Sequence, residues 1–261
     1  MSAIDILALL VPVTYFAMLA IERLWPARVF PRRPGWQWLG VLFLVIVGLV
    51  SALTPLVLPV QWLAAHRLLP GDRLGVAAGA IAGFVIAEGV VYAYHRATHR
   101  FSFLWRLGHQ VHHSPERVDI AGSVLFHPVE MVIQATLLIL TTTIVLGLDP
   151  LAAAIVGYLV PFYGMFQHWN IRTPQWLGLV IQRPEAHCIH HRKGLHYYNF
   201  ADLPWWDMVF GTYRNPRVFN GECGFEGDAP RKLWPMLGFA DVNRAFYGTA
   251  SRGQKAPIGG D

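Results

Sequence analysis

Charge is the scarcest property of this chain: only 14% of its 261 residues are Asp, Glu, Lys or Arg, against 54% hydrophobic. Soluble domains carry roughly a quarter charged residues, so the composition excludes a pair of soluble domains and points to one integrated membrane unit. Cysteine is nearly absent. Cys188 and Cys223 offer no disulfide framework and no paired C-x-x-C site, and Cys188 reads as a small apolar filler. There is no H-E-x-x-H box, G-x-S-x-G elbow, Walker loop or G-x-G-x-x-G fingerprint, which removes zincin, serine-hydrolase, nucleotidase and dinucleotide chemistry. No haem or flavin domain is evident, so any electrons must come from another protein. The net charge of +5 comes mostly from arginines in loops beside apolar segments, as membrane topology requires, and does not indicate nucleic-acid binding. The first apolar stretch contains Asp5 and lacks a basic leader, so it does not read as a cleavable signal peptide.

Five apolar segments can be read, at about 4–21, 38–63, 75–94, 129–146 and 151–166. Pro55 and Pro59 predict a kink or an early end in the second. The fourth and fifth flank the turn Gly147–Pro150 and are slightly short, so they form either two full spans or a shallower hairpin. The fold class is therefore all-α: a polytopic helical bundle with a histidine-rich, metal-binding helical cap. We divide it into N-terminal membrane segments (1–74), a catalytic region (75–215) and a C-terminal tail (216–261). Arginines 23, 28, 32 and 33 place the first loop in the cytoplasm. The alternation of spans then brings every histidine-rich stretch to the cytoplasmic side and leaves only His66 on the other.

Eleven of the twelve histidines lie between His95 and His196. Eight fall in three boxes: His95-x-x-x-His99, His109-x-x-His112-His113 and His187-x-x-His190-His191. Residues three and four apart share a helix face, so each box is expected to aim its imidazoles in one direction. Two H-x-x-H-H boxes should meet by chance in fewer than about one such chain in a thousand, which favours a metal site over structural histidines. Neutral imidazole is the commonest protein metal ligand, and eight exceed what one tetrahedral ion needs. Two ions are expected. Imidazole sites suit iron, copper, zinc or nickel; iron at the membrane boundary fits O2 activation for attack on an inert lipid C–H bond.

Other residues join as candidates. His168 closes the fifth segment at the right edge and is a further ligand candidate, as is His127 before Pro128. Glu88 lies seven residues before His95, near its azimuth; a carboxylate inside a span is costly and usually functional, here by accepting the outer N–H of a ligating histidine. His196 reads as a support for the ligands or a surface residue.

The boxes, with Phe126-His-Pro128, His168-x-Asn170, Tyr198-Asn199 and Trp206-Asp-x-x-Phe-Gly-Thr-Tyr213, resemble the fatty acid hydroxylase/sterol desaturase superfamily over roughly 88–213. The resemblance implies a membrane non-haem di-iron oxidoreductase that uses O2 and external electrons, from a ferredoxin or a cytochrome with its reductase, to hydroxylate or desaturate a lipid. It carries metal-ligand roles onto His95, His99, His109, His112, His113, His187, His190 and His191, with His168. Asp207 would orient a ligand or tie the tail to the core. Arg172 stands where some relatives carry a further histidine, leaving Asn170, His127 or water to complete the ligand set. Two competing readings are a zinc-dependent membrane hydrolase, with Glu185 as its base, and a non-catalytic metal carrier. The lipid itself is not legible.

Overall fold

The computed structural model describes residues 1–243; the last part of the C-terminal tail, 244–261, lies outside the described residues. The described chain is helical, and no strand forms in it beyond a single bridge between Arg192 and Cys223. Five helices are long and apolar enough to cross a membrane. They are α1 (Ala3–Leu24), α2 (Trp36–Val57), α3 (Gly75–Arg100), α4 (Pro128–Ile139, continued as a wider turn over Leu140–Val145) and α5 (Pro150–His168). Among the shorter helices that follow are α6 (Pro184–His190) and α7 (Pro204–Val209).

Local chemistry sets the boundaries. Ser2 and Asp5 form a reciprocal capping box on α1, with Ser2 Oγ accepting the Asp5 N–H and Asp5 accepting the Ser2 N–H. Asp149 accepts the N–H groups of Leu151 and Ala152 and caps α5. The helices α4, α5, α6 and α7 each open with proline in the first turn, where its missing N–H costs nothing. The second segment takes the early end: α2 stops at Val57, and Pro59 precedes a separate short helix, Val60–Ala65. Leu42, Val45, Leu49, Leu53 and Leu56 form an exposed apolar stripe along α2, the expected face of a helix whose solvent is hydrocarbon.

Helix α3 packs along α5, α1 also packs on α5, and α2 packs on α4. At one end of the bundle, backbone bonds join Leu68 to Ile144, Gly71 to Leu146 and Asp72 to Gly147. The opposite end gathers the end of α1, the start of α2, the end of α3, the start of α4 and the end of α5. Buried Glu22 accepts the N–H groups of Ile120 and Asn170 there, and Asp119 accepts the Trp36 indole N–H. The histidines lie at this end.

Candidate metal centre

The structure brings nine imidazoles together and sorts them into two groups. His95, His99, His109, His113 and His190 form one; His112, His168, His187 and His191 form the other, with the donor atoms inside each group lying within 4.8 Å of one another. These are the eight box histidines and His168. The first box, His95 and His99, points in one direction as expected, whereas the two H-x-x-H-H boxes do not. Neighbouring residues on a helix diverge by about 100°, so His112 and His113 face different groups, and so do His190 and His191. Each i,i+4 pair stays together (His109 with His113, His187 with His191) while the middle histidine crosses over. The rings of His113 and His191 stack at 4.1 Å between centroids and join the two groups.

Four rings are oriented from outside. His95 Nδ1–H donates to the Phe200 carbonyl (2.6 Å), His190 Nδ1–H to the Tyr198 carbonyl (2.8 Å) and His168 Nδ1–H to the Gly164 carbonyl (2.9 Å). A carbonyl can only accept, so Nδ1 carries the proton and Nε2 is left with a free lone pair. His109 Nδ1 donates to Glu130 Oε1 (2.7 Å), and Glu130 also accepts from Gln134. Gly108 makes room for this carboxylate: a Cβ there would lie 2.5 Å from that of Glu130.

The inward nitrogens form a donor set that fits metal ions. Nε2 of His95, His109 and His190, and both ring nitrogens of His99 and His113, are buried without hydrogen-bond partners. In the second group, His187 Nε2 lies 3.2 Å from His168 Nε2 and 3.0 Å from His191 Nε2. One proton cannot serve three converging nitrogens, whereas a cation can. Burial pushes His109 down to about 3. Burial, and then the proximity of other histidines, holds His112, His113, His187, His190 and His191 well below the usual histidine range. All are therefore neutral, the ligating form, at physiological pH.

Neutral burial has a consequence for the metal-free protein. The unfolded chain takes up protons below about pH 6.5 that the folded sites refuse, so stability falls with acidification by up to about 1.4 kcal/mol per pH unit per histidine. Chelator-stripped protein in detergent is expected to lose thermal stability steeply between pH 7.5 and 5.5. A flat melting temperature across that range would contradict neutral burial.

Several expectations are corrected. Glu88 reaches no histidine; its Oε2 accepts the Leu203 N–H at 3.1 Å. His127 is a helix cap and not a ligand candidate: Nδ1 accepts the Val129 N–H and Nε2–H donates to the Leu237 carbonyl, so both nitrogens are committed. Replacing it with alanine is expected to cost about 1 kcal/mol of stability and to leave the metal content unchanged, as checked by thermal melting and elemental analysis. Asn170 clips the first loop instead, accepting the Arg28 N–H and donating to the Arg28 carbonyl. Glu185 is bound by Thr173 and by Arg183 at 3.1 Å and is not free to serve as the base of a hydrolase. Cys188 belongs to neither group and packs with Val118 and Cys223.

Asp207 ties the tail to the core through the loop that orients His95. Its carboxylate accepts the N–H groups of Phe200 (2.9 Å) and Ala201 (2.8 Å) and the Thr212 hydroxyl (2.6 Å). His196 is buried beside the first group, its ring 4.8 Å from His113 and 5.6 Å from His99. Glu130 was missed in the sequence, although it sits in the first turn of an apolar segment, the same signal that marks Glu88.

Two cavities adjoin the site. The inner one, about 240 Å³, runs between α1, α2, α3, α4 and α5. Its polar end is lined by His95, His109, His112, His168, Gln167 and Asp202, and its apolar end by Val47, Val50 and Leu137. The outer one, about 880 Å³, is an open groove between α3 and α7 that reaches His99 and carries Arg96 and Arg100.

A helical bundle of five apolar spans, ending in a buried cluster of neutral imidazoles suited to metal ions, defines the class: a membrane protein with a multi-histidine metal site. Residues 80–212, half of the chain, match the fatty acid hydroxylase family, and the chain belongs to that family. All nine clustered histidines, Glu130 and Asp207 lie within the match. The chain is also similar to ornithine lipid hydroxylase OlsE of Rhizobium tropici, with 29% identity over 181 residues, covering 67% of this chain and 54% of that protein. It thus spans about half the length of that curated relative. No solved structure matches the chain.

Proposed function

We propose that the protein is a membrane-bound, non-haem di-iron oxidoreductase that hydroxylates, or desaturates, a lipid at a C–H bond with O2 and electrons from an external ferredoxin or cytochrome. The observation that carries this reading is the sorting of nine neutral imidazoles into two adjoining groups at the end of the inner cavity. One group would hold each ion: His95, His99, His109, His113 and His190 the first, and His112, His168, His187 and His191 the second. Two iron ions bound there would supply the O2 activation and oxidising strength that protein side chains lack.

The chain's own residues set the rest. Glu130 and the carbonyls of Phe200, Tyr198 and Gly164 fix the tautomers that leave Nε2 free to ligate. The apolar walls of the inner cavity hold a hydrocarbon chain and exclude water from the imidazoles. The arginine-bearing loop between α1 and α2 lies at the site's end of the bundle, which supports a cytoplasmic site. Glu185 is engaged by Arg183 and Thr173, which counts against the hydrolase reading.

The test is lipid mass spectrometry of cells with and without the gene, grown under ¹⁸O2, alongside elemental analysis of purified protein. A lipid that gains labelled oxygen only when the gene is present, together with about two irons per chain, is the expected result. Zinc-only protein, or turnover that persists under strict anaerobiosis, would overturn it.

A further inference from the structure

The outer groove carries charge of one sign only. Arg96 and Arg100, both exposed, line it, and no Asp or Glu does. Neither arginine belongs to an ion pair among the described residues. Arg96 donates to the Tyr92 hydroxyl at 2.8 Å, and its guanidinium lies over the rings of Tyr92 and Phe210, contacts that hold a planar cation without neutralising it. The nearby Asp207 carboxylate is already taken up by Phe200, Ala201 and Thr212. Below the arginines the groove is apolar. Ile86, Gly89, Ala93 and Ala97 follow one another at helical spacing on α3, and Trp206 and Phe210 stand opposite. Gly89 lets Trp206 approach: a Cβ there would fall 2.7 Å from the indole.

Depth decides what fills it. Arg96 lies roughly 30 Å along the axis of α3 from Gly75, about the thickness of the hydrocarbon core. The arginines therefore stand at the level of the headgroups, and the apolar stretch lies within the leaflet. Helix α7 reaches the same depth: the Trp206 indole N–H donates to the Val85 carbonyl at 3.0 Å, near the middle of α3, while Val209 and Phe210 are 73% and 51% exposed. The groove opens sideways into lipid, not into water. We propose that it binds an anionic phospholipid of that leaflet, its phosphate on Arg96 and Arg100 and an acyl chain against Ile86, Ala93 and the α7 rings. Size agrees, since about 880 Å³ falls within the roughly 300–1,000 Å³ of pockets that enclose ligands. Charge agrees as well: guanidinium takes phosphate in a fork, and basic residues at the end of a span attract acidic lipids. The groove uses a different face of α3 from the inner cavity, which Ala87, Val91 and Tyr94 line. The site thus holds a resident lipid beside the path assigned to the substrate, and its occupant covers the groove-facing edge of His99.

The test uses iron-loaded protein in neutral detergent, titrated with dioleoyl-phosphatidylglycerol or with dioleoyl-phosphatidylcholine, whose trimethylammonium group would meet the two arginines. Retention is read by native mass spectrometry. Wild-type protein is expected to hold phosphatidylglycerol at least about tenfold more tightly. The double variant Arg96→Gln/Arg100→Gln should lose that preference with its iron content unchanged, and Ala93→Phe, which fills the groove below the arginines, should weaken retention of phosphatidylglycerol. Excess inorganic phosphate should leave the lipid bound, because the acyl chain is part of the site. Equal retention of the two lipids by wild-type protein, an unchanged preference in the double variant, or displacement by inorganic phosphate overturns the proposal. The wild-type comparison stands even if a variant does not fold. No turnover is needed, so the result is independent of whether any lipid gains ¹⁸O.

Discussion

Replacing His187 with alanine is expected to remove about one of two metal ions per chain and to lower lipid oxidation by more than about 100-fold, beyond the 10–100-fold typical of outer supports. The expectation follows from the position of its ring. His187 Nε2 is the point where His168 Nε2 and His191 Nε2 converge, at 3.2 and 3.0 Å. The group has only four imidazoles, so losing one leaves three donors and a hole where the central ligand was. His187 is fully buried and α6 is only seven residues long, so no other side chain of that helix can swing in. The first group keeps all five of its own donors, which is why half of the metal should remain. Elemental analysis of purified variant and wild type decides the matter, and a variant that keeps its full metal content would refute this assignment.

The next largest effect is expected at Glu130. Its carboxylate accepts the His109 Nδ1 proton at 2.7 Å in a fully enclosed setting. A charged acceptor fixes the ring and raises the basicity of the opposite nitrogen, and removing such a partner typically costs 10–100-fold in metal affinity or activity. Glu130→Ala should fall in that range. Glu130→Gln retains an acceptor oxygen without the charge and should lose less. Rates of metal loss to a chelator give the order directly: alanine fastest, then glutamine, then wild type. Equal rates for all three would show that the contact does not tune the site.

The two variants probe what the sequence revealed and what it concealed. The spans and the nine clustered imidazoles were legible because hydropathy and helical spacing are local properties. Partners across elements were not. Glu88 shares an azimuth with His95, but seven residues of helix separate them by about 10 Å along the axis, beyond any hydrogen bond; azimuth alone misled. Glu130 comes to His109 from the start of another helix, 21 residues on. Asn170 meets Arg28 across 142 residues, a pairing no local pattern encodes. His127 was readable in principle: proline directly after it marks a helix start, and the residue before that start is a cap. The division of each H-x-x-H-H box between two groups also follows from helix geometry, once adjacent residues are recognised as facing about 100° apart.

Three of the four oriented rings, His95, His190 and His168, are aimed by main-chain carbonyls and not by side chains. Substituting the side chain of Phe200 or Tyr198, or adding one at Gly164, leaves those oxygens in place. A survey by point mutation would therefore register these positions by their packing and pass over the atoms that hold the metal's ligands. What keeps the acceptors of His95 and His190 in place is the path of the chain from 198 to 201, and Asp207 pins that path by gripping two of its amides. The side chains of this loop can therefore change while its two carbonyls stay aimed at the rings, as long as the Asp207 carboxylate holds the backbone.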